Sequence, residues 1–158
     1  METPILIRRG SAADHVALGE VMYDAVRNGP SRYTSEQRAA WVPEPRKGPD
    51  WDERLGQQII IIAEQAGTIV GFMTLEAPAY VDFAYIRPSW QRKGVFRALH
   101  DAIEQEARRT GQTRLHVHAS LMAQPAFAAL GYSVTAPEDV SIRGIAFKRF
   151  AMEKALFG

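Results

Sequence analysis

The chain has 158 residues, of which 46% are hydrophobic and 23% charged, and its formal net charge is +1. This is enough chain to bury roughly two-thirds of its unfolded surface, so we expect one domain spanning residues 1–158. It has no cysteine, which excludes disulfides, thiolate metal sites and cysteine nucleophiles. The near-neutral charge, the absence of an apolar run of ~20 residues and an opening without signal-peptide features predict a cytoplasmic protein with no nucleic-acid or membrane partner.

The first third of the chain predicts one strand followed by short helices. Capping boxes at Ser11–Asp14 and Thr34–Gln37 mark two helix starts, and Asp50 with Glu53 marks a third. The stretch from Val42 to Pro49 contains proline and glycine and is predicted to be a loop. The predicted elements are a strand at 5–8, a helix ending near Asn28, a short helix ending before Pro43, and a short helical segment after Asp50.

The remainder predicts strands interrupted by two helices. Gly67 favours a hairpin turn between the first two strands, Pro88 ends the third, and Gly111 ends a long amphipathic helix. The predicted elements are strands at 58–64, 68–76 and 80–87, a helix at 95–110, a strand at 114–119, a helix at 125–130, and strands at 132–142 and 145–154. This order predicts an α/β fold with a mixed, mostly antiparallel sheet of six or seven strands and at least one strand–helix–strand crossover.

A short basic loop joins the third of these strands to the long helix. Arg92, Lys93 and Arg97 surround Gly94, and Arg87 precedes them, with no acidic residue in between. The first amides of a helix have no partners within the helix, and its dipole adds positive charge there. Such a turn suits a diphosphate, although a solvated strand-to-helix turn would carry the same residues. The chain contains neither a P-loop nor a G-x-G-x-x-G motif, so neither of those phosphate sites is predicted.

The run from Val81 to Val95 resembles the acetyl-CoA-binding motif of the GNAT superfamily of acyl-CoA N-acyltransferases. Gln91 and Gly94 match its Q/R-x-x-G-x-G/A signature. The resemblance continues through Ala119-Ser120-Leu121, Pro125, Phe127 and Gly131-Tyr132 to Met152-Glu153-Lys154. The opening Ile7-Arg8-Arg9 and the segment from Tyr33 to Trp41 are similar to one bacterial branch of the family.

The resemblance implies the GNAT-like fold and a transfer of acetyl from acetyl-CoA directly to a primary amine. It implies that the pantetheine arm pairs with the backbone of Tyr85 and Ile86 in an opening between two strands. It also implies that the pyrophosphate lies on the amides from Arg92 to Arg97. The cofactor-binding residues are therefore predicted to be Tyr85, Ile86, Gln91, Arg92, Lys93, Gly94, Val95, Phe96 and Arg97.

Three positions depart from the family pattern. Phe96 replaces the last Gly or Ala of the signature, and Met122 replaces an asparagine that touches the cofactor in many members. Phe127 replaces a tyrosine that protonates the departing thiolate, which phenylalanine cannot do. These departures motivate the alternative that the chain is a non-catalytic acyl-CoA-binding sensor.

An attacking ammonium must lose its proton, so a base or a water chain is required. Asp82 lies in the third strand of the hairpin region on the predicted face of Tyr80 and Ala84, and a half-buried carboxylate there is one candidate base. His118 is the other, because a neutral imidazole accepts a proton near pH 7. His116 and His118 share a strand face, but a metal site is not predicted because no third ligand is evident. Salt-bridged aspartate and ordinary histidines are the alternative interpretations.

The amine acceptor is not identified by the sequence. Tyr33, before the Thr34 cap, and Tyr80 are predicted to contact the substrate, whereas Trp41 is predicted to pack in the core. Glu44, Asp50, Asp52 and Glu53 form only a modest acidic cluster of the kind that suits polyamines. A small-molecule or peptide amine is expected, and a homodimer through the β-rich tail is left open.

Overall fold

The computed structural model describes residues 3–156. Residues 1–2 and 157–158, which the predicted domain includes, lie outside that range. The strands are β1 (Leu6–Arg9), β2 (Ile59–Gln65), β3 (Thr68–Glu76), β4 (Tyr80–Ile86), β5 (Arg114–Ser120), β6 (Ser133–Ile142) and β7 (Ile145–Ala155). The helices are α1 (His15–Asn28), α2 (Ser35–Trp41), α3 (Pro49–Gly56), α4 (Val95–Arg109) and α5 (Gln124–Ala129).

The strands form one sheet in the order β1-β2-β3-β4-β5-β7-β6. Among the described strands only β4 and β5 pair in parallel, and α4 connects them, which is the predicted crossover. Every other neighbouring pair is antiparallel. The predicted mixed, mostly antiparallel sheet is therefore confirmed.

Helices cover both faces of this sheet. On one face, α4 buries Leu99, Ile103 and Ala107 against Ile61 and other strand residues. On the opposite face, α1 and α3 pack against Ile60, Ile62, Phe72 and Phe83. Because β2 is covered on both faces, Ile60, Ile61 and Ile62 are all buried although they point to alternate sides, and this explains the uninterrupted apolar run in that strand.

One predicted helix start and one predicted turn differ from the structure for local reasons. The third helix begins at Pro49 rather than after Asp50, because Gly48 at φ 99° is its N-cap and proline suits the first helical turn. The hairpin between β2 and β3 has Ala66 at φ 50° as well as Gly67 at φ 81°, so both turn residues are left-handed. No helix within residues 3–156 is long and apolar enough to cross a membrane.

A bulge in β4 changes which side chains share a face. Met73 pairs with Ala84 and Leu75 pairs with Val81, so Thr74 lies opposite two residues, Asp82 and Phe83. The Phe83 amide donates to Thr74 Oγ1 at 3.0 Å, which satisfies the group that the bulge removes from the ladder. Ala84 consequently packs against the α4 layer, and its predicted place beside Asp82 is wrong. Phe83 and Tyr85 join Tyr80 and Asp82 instead.

Candidate functional site

A cleft of about 570 Å³ opens on the α1–α3 face of the sheet. Its walls come from four parts of the fold: the end of α2 and the loop that follows it, α3, the strands β4 and β5, and the β6–β7 hairpin. The residues that matter below are Tyr33, Trp41, Arg46, Arg54, Tyr80, Asp82, Tyr85, His118, Arg143 and Arg149. A polar floor and aromatic walls in one concave surface are typical of a small-molecule site.

A second, narrow cavity of about 60 Å³ lies between β4 and β5. These parallel strands pair only at Tyr80–His116 and Val81–Val117, near their N-terminal ends, and then diverge. The gap is lined by Ala84 and Phe127 from the α4 side of the sheet and by Asp82 and His118 from the other side. The opening therefore crosses the sheet and meets the larger cleft.

The start of α4 presents backbone amides without protein partners. Gly94 is the N-cap at φ 80°, and the first helical hydrogen bond runs from Ala98 N to Gly94 O at 3.1 Å. Within residues 3–156, the amides from Arg92 to Arg97 donate to no protein acceptor. Arg92 is itself left-handed at φ 62°, an uncommon conformation for a side chain-bearing residue. This is the geometry of an anion-binding turn.

Some side chains around this turn are hydrogen-bonded to the protein and fix the turn, whereas others are cations without an acidic partner in the part of the chain that the structure describes. Arg87 is an anchor, because it donates to Asp24 Oδ2 at 3.0 Å and to the Ile69 carbonyl at 2.9 Å. Gln91 holds the strand end by donating to the Ile86 carbonyl at 3.2 Å. Arg92, Lys93 and Arg97 are exposed and, within the described residues, bind no acidic side chain. Three of the four clustered cations thus remain available to an anion.

The three positions that depart from the family pattern have distinct environments. Phe96 does not cover the amides, because its ring packs edge-to-face on Phe127 at 5.0 Å between centroids. Phe127 is buried, lines the gap between β4 and β5, and brings no hydroxyl to it. Met122 is 40% exposed and lines neither cavity.

Asp82 is held in an ion pair at the floor of the cleft. Arg54 donates to both of its carboxylate oxygens, at 2.7 and 2.8 Å, and Gln58 donates to Oδ2 at 2.6 Å. Its side chain is only 5% exposed. The hydrogen bonds between Asp82 and Arg54 raise the pKa of the Arg54 guanidinium. A carboxylate engaged in this way is a poor proton acceptor, so the arrangement favours the salt-bridged interpretation of Asp82.

His118 lies in both cavities and is hydrogen-bonded through one ring nitrogen. Its Nδ1 is 2.9 Å from Tyr80 Oη, while Nε2 is 3.8 Å from Glu138 Oε1. Burial raises the pKa of Tyr80, so its hydroxyl stays neutral and is available to hold the imidazole. The tautomer that donates from Nδ1 to Tyr80 Oη leaves the lone pair on Nε2, whereas the other tautomer accepts from Tyr80 and carries its proton on Nε2. His118 is therefore the better placed of the two candidate bases.

Aromatic side chains form one wall of the cleft, and Tyr33, predicted to contact the substrate, is among them. Tyr33 is 6% exposed, and its hydroxyl is occupied: it donates to the Lys148 carbonyl at 2.6 Å and accepts from Leu121 N at 3.0 Å. It contributes a ring face rather than a hydrogen bond. Trp41 packs against the core of this face, as predicted, but it is only half-buried, lines both cavities and contacts Tyr33 and Tyr85.

Tyr85 was predicted for its backbone alone, yet its side chain also belongs to the site. Its ring lines both cavities, and within the described residues its hydroxyl forms no hydrogen bond with a protein group. Burial raises its pKa, so the hydroxyl is a neutral donor at the junction of cleft and gap. Regular strand alternation places Tyr85 away from Asp82, and only the bulge brings them together.

No group of three or more histidine, aspartate or glutamate residues within the described range is arranged to hold a metal ion. His116 points to the same side of β5 as His118 but lines neither cavity, and its Nδ1 is 3.9 Å from Glu153. The two histidines therefore have separate environments.

Comparison with known proteins agrees with this arrangement. A family model described as the acetyltransferase (GNAT) domain matches residues 31–155. The uncharacterized N-acetyltransferase YafP of Escherichia coli (strain K12) is 28% identical over 151 residues, 94% of this chain and 94% of that protein. A GCN5-related N-acetyltransferase from Rhodopseudomonas palustris is 28% identical with a TM-score of 0.89, over 99% of this chain and 98% of that one. PaiA N-acetyltransferase from Thermoplasma acidophilum, in complex with coenzyme A, shares the fold at 20% identity with a TM-score of 0.74, over 97% and 99% of the two chains.

Proposed function

The chain belongs to the GNAT family of acetyl-CoA-dependent acetyltransferases, and on that premise we propose that it transfers an acetyl group from acetyl-CoA to a primary amine bound in the 570 Å³ cleft. The observation that carries this proposal is that three features meet at the C-terminal ends of the central strands β4 and β5. They are the unpartnered amides of α4, the gap between β4 and β5, and the cleft that this gap enters.

The residues present fit an acyl-CoA. Amides 92–97, with Arg92, Lys93 and Arg97, suit a diphosphate, and the space beside Gly94 is open, since a Cβ there would meet no atom within 4 Å. The diverging edge of β4 at Tyr85 and Ile86 offers backbone groups to an extended arm. Acetyl-CoA supplies an acyl group already activated as a thioester, so no covalent enzyme intermediate is needed.

We assign the removal of the amine proton to His118, held by Tyr80. The imidazole lies in both cavities, where an amine in the cleft meets the gap through the sheet. The Asp82–Arg54 pair shapes the floor beneath it. The proton's destination is the imidazole, and Glu138, 3.8 Å from Nε2, stabilises the resulting cation.

The leaving thiolate has no protein proton donor at Phe127. A thiol has a pKa near 8.5, so a thiolate departs tolerably without one. The neutral Tyr85 hydroxyl is the donor that we propose instead, because Tyr85 lines the same gap. We therefore expect the departure at Phe127 to lower the rate of transfer rather than to abolish it.

The alternative, a non-catalytic acyl-CoA sensor, rests on Phe127 and Met122. Titration calorimetry with acetyl-CoA combined with a thiol-release assay over a panel of primary amines separates the two. Binding together with amine-dependent thiol release supports the transferase. Binding without release on any amine supports the sensor, and no binding contradicts both.

A further inference from the structure

The cleft contains more positive than negative side chains, and only some of the positive ones form ion pairs within residues 3–156. Its cationic residues are Arg46, Lys47, Arg54, Arg143 and Arg149, against the acids Glu44, Asp50 and Asp82. Arg54 is bound to Asp82, and Arg149 donates to Glu138 at 2.9 Å. Arg143 reaches the backbone carbonyls of Ala40 and Trp41. Glu44, Asp50 and Lys47 are exposed to solvent.

Arg46 is the exception, because it is half-buried and pairs with no carboxylate within the described residues. Its guanidinium carbon lies over the Trp51 ring at 4.6 Å and 5.8 Å from the centre of the Phe83 ring. Burial and, second, the charge of Arg54 lower its pKa. Stacking on rings leaves the planar edge of a guanidinium, with its N–H donors, free for a ligand.

The backbone that carries Arg46 is fixed by close packing. A Cβ on Gly19 of α1 would lie 2.0 Å from the Arg46 carbonyl oxygen, so the helix contacts this loop through bare backbone. Arg27 donates to the carbonyls of Val42 and Pro43 at 3.1 and 3.2 Å and ties the start of the loop to the same helix. Packing therefore fixes the backbone of Arg46, and the contacts with Trp51 and Phe83 hold its guanidinium in the cleft.

We infer that the acceptor is a primary amine that also bears a carboxylate, which the guanidinium of Arg46 binds in the cleft. The inference rests on the proposed function, because it names the substrate class for the same site. Arg46 is a half-buried cation beside the like charge of Arg54, and Asp82 attracts it without forming an ion pair with it, so an anionic ligand in contact with its guanidinium is expected to stabilise it. The forked donors of arginine match the two oxygens of a carboxylate. The substrate is thus an amino acid or a related amino carboxylate rather than a polyamine.

The acidic cluster of the sequence does not favour a polycation once it is placed in the fold. Asp52 is bound to His15 at 2.9 Å and does not line the cleft. Asp82 is neutralised by Arg54. The two remaining cleft acids, Glu44 and Asp50, are exposed, and their charges are screened by solvent.

The test compares amino acids with their own carboxamides as acceptors in the thiol-release assay. Each pair keeps the amine and the side chain and differs only in the charge that Arg46 is inferred to bind. The wild-type protein is expected to use the acids with the higher kcat/KM. Arg46→Met, which keeps the packing on Trp51, is expected to raise KM for the acids by roughly 10- to 100-fold and to leave the amides nearly unchanged.

The matched control is Arg32→Met, which removes an exposed arginine outside the cleft. It is expected to leave the acid-to-amide ratio and the affinity for acetyl-CoA as in the wild type. Arg46→Lys keeps the charge without the fork and is expected to fall between wild type and Arg46→Met. Calorimetric titration of the preferred acid into CoA-loaded protein gives a readout independent of turnover, and Arg46→Met is expected to lose that binding.

Equal use of acids and amides by the wild type overturns the inference and leaves the transferase proposal standing. An unchanged KM for acids in Arg46→Met, with melting temperature and acetyl-CoA affinity preserved, overturns it as well. If no amino acid, no carboxamide and no other primary amine of the panel causes thiol release, the proposed function itself is contradicted, and the inference falls with it.

Discussion

At the scale of single residues, the structure distinguishes His118 from Asp82, which the sequence offers equally as candidate general bases. Both side chains lie where β4 and β5 diverge. Asp82 has three hydrogen bonds to its carboxylate, whereas His118 has one ring nitrogen bound to Tyr80 and the other near Glu138. The difference in hydrogen-bond partners, rather than in position, is the reason why we propose the histidine and not the aspartate as the base.

Replacing His118 with alanine is expected to lower kcat by roughly 100-fold or more, since it removes the proposed general base. Acetyl-CoA affinity, measured by calorimetry, is expected to stay unchanged. His116→Ala is the matched control, because it removes a histidine from the same face of β5 outside both cavities. Full turnover in His118→Ala, or an equal loss in both variants, would refute the assignment.

Asp82→Asn is expected to act mainly on stability. The change leaves the Arg54 guanidinium without its carboxylate and costs about 1–3 kcal/mol in the free energy of unfolding. Arg54→Gln removes the other half of the pair, and a double-mutant cycle in urea is expected to show that the two losses are not additive. A large fall in kcat with an unchanged unfolding midpoint would instead make Asp82 the base.

At the scale of elements, the packing of α4 against the segment leading into β6 buries a histidine without charge. His100 is 1% exposed and its Nε2 is 2.7 Å from Tyr132 Oη. Burial, and second the nearby Lys154 charge, lower the pKa of His100 to about 4, while Glu104 and Asp101 act weakly in the opposite direction. The folded protein therefore resists protonation at this position.

This burial predicts a defined pH dependence of stability. His100 takes up a proton near pH 6.5 when unfolded but near pH 4 when folded, so its contribution is complete above pH 6.5 and is lost as the pH falls toward 4. Between pH 7 and 5 the loss is about 2 kcal/mol. Urea unfolding at both pH values is expected to show this loss in wild type and not in His100→Gln.

Tyr132→Phe serves as the comparison for that measurement. It removes the hydrogen bond but leaves His100 buried, and burial is the main cause of the lowered pKa. The variant is expected to be less stable at every pH while keeping the same loss between pH 7 and 5. If wild type and His100→Gln lose stability equally, His100 is not the group responsible.

The sequence predicts some secondary-structure elements of this fold better than others. The helix at 95–109 and the strands from 59 to 86 follow from periodicity, caps and turn residues within one or two positions. The Asp82–Phe83 bulge does not, because it depends on Thr74 in the neighbouring strand. A strict alternation of faces therefore misplaced Ala84 and concealed the Tyr85 side chain.

The site residues show the same limit. The glycine and cations at 92–97 were predicted because their chemistry is local to one turn. Arg46 does not stand out in the sequence. That it is half-buried in the cleft without an ion-pair partner among the described residues becomes visible only in the packed structure. The helical position of Trp41 predicts its packing against the core, whereas its place in the cleft depends on tertiary contacts with Tyr33 and Tyr85.

At the scale of the whole molecule, the crossover from β4 through α4 to β5 brings the separate parts of the site together. The two strands are parallel and part near their C-terminal ends, where ligands bind in α/β sheets, and α4 begins beyond the end of β4. One side of the gap carries the anion-binding turn and the other carries the cleft. Because the net charge is only +1, attraction to an anionic ligand depends on this local arrangement.

Calorimetric titration of acetyl-CoA into Gly94→Asp and Gly94→Asn tests this account most directly. Gly94 is left-handed at φ 80° and has open space beside it, so both substitutions fit and carry a similar backbone strain of about 1 kcal/mol. Only aspartate adds a negative charge to the turn. We predict that Gly94→Asp weakens acetyl-CoA binding by roughly 100-fold through repulsion of the diphosphate, while Gly94→Asn stays within a few-fold of wild type. Equal affinities for the two variants would contradict the placement of the diphosphate at the start of α4.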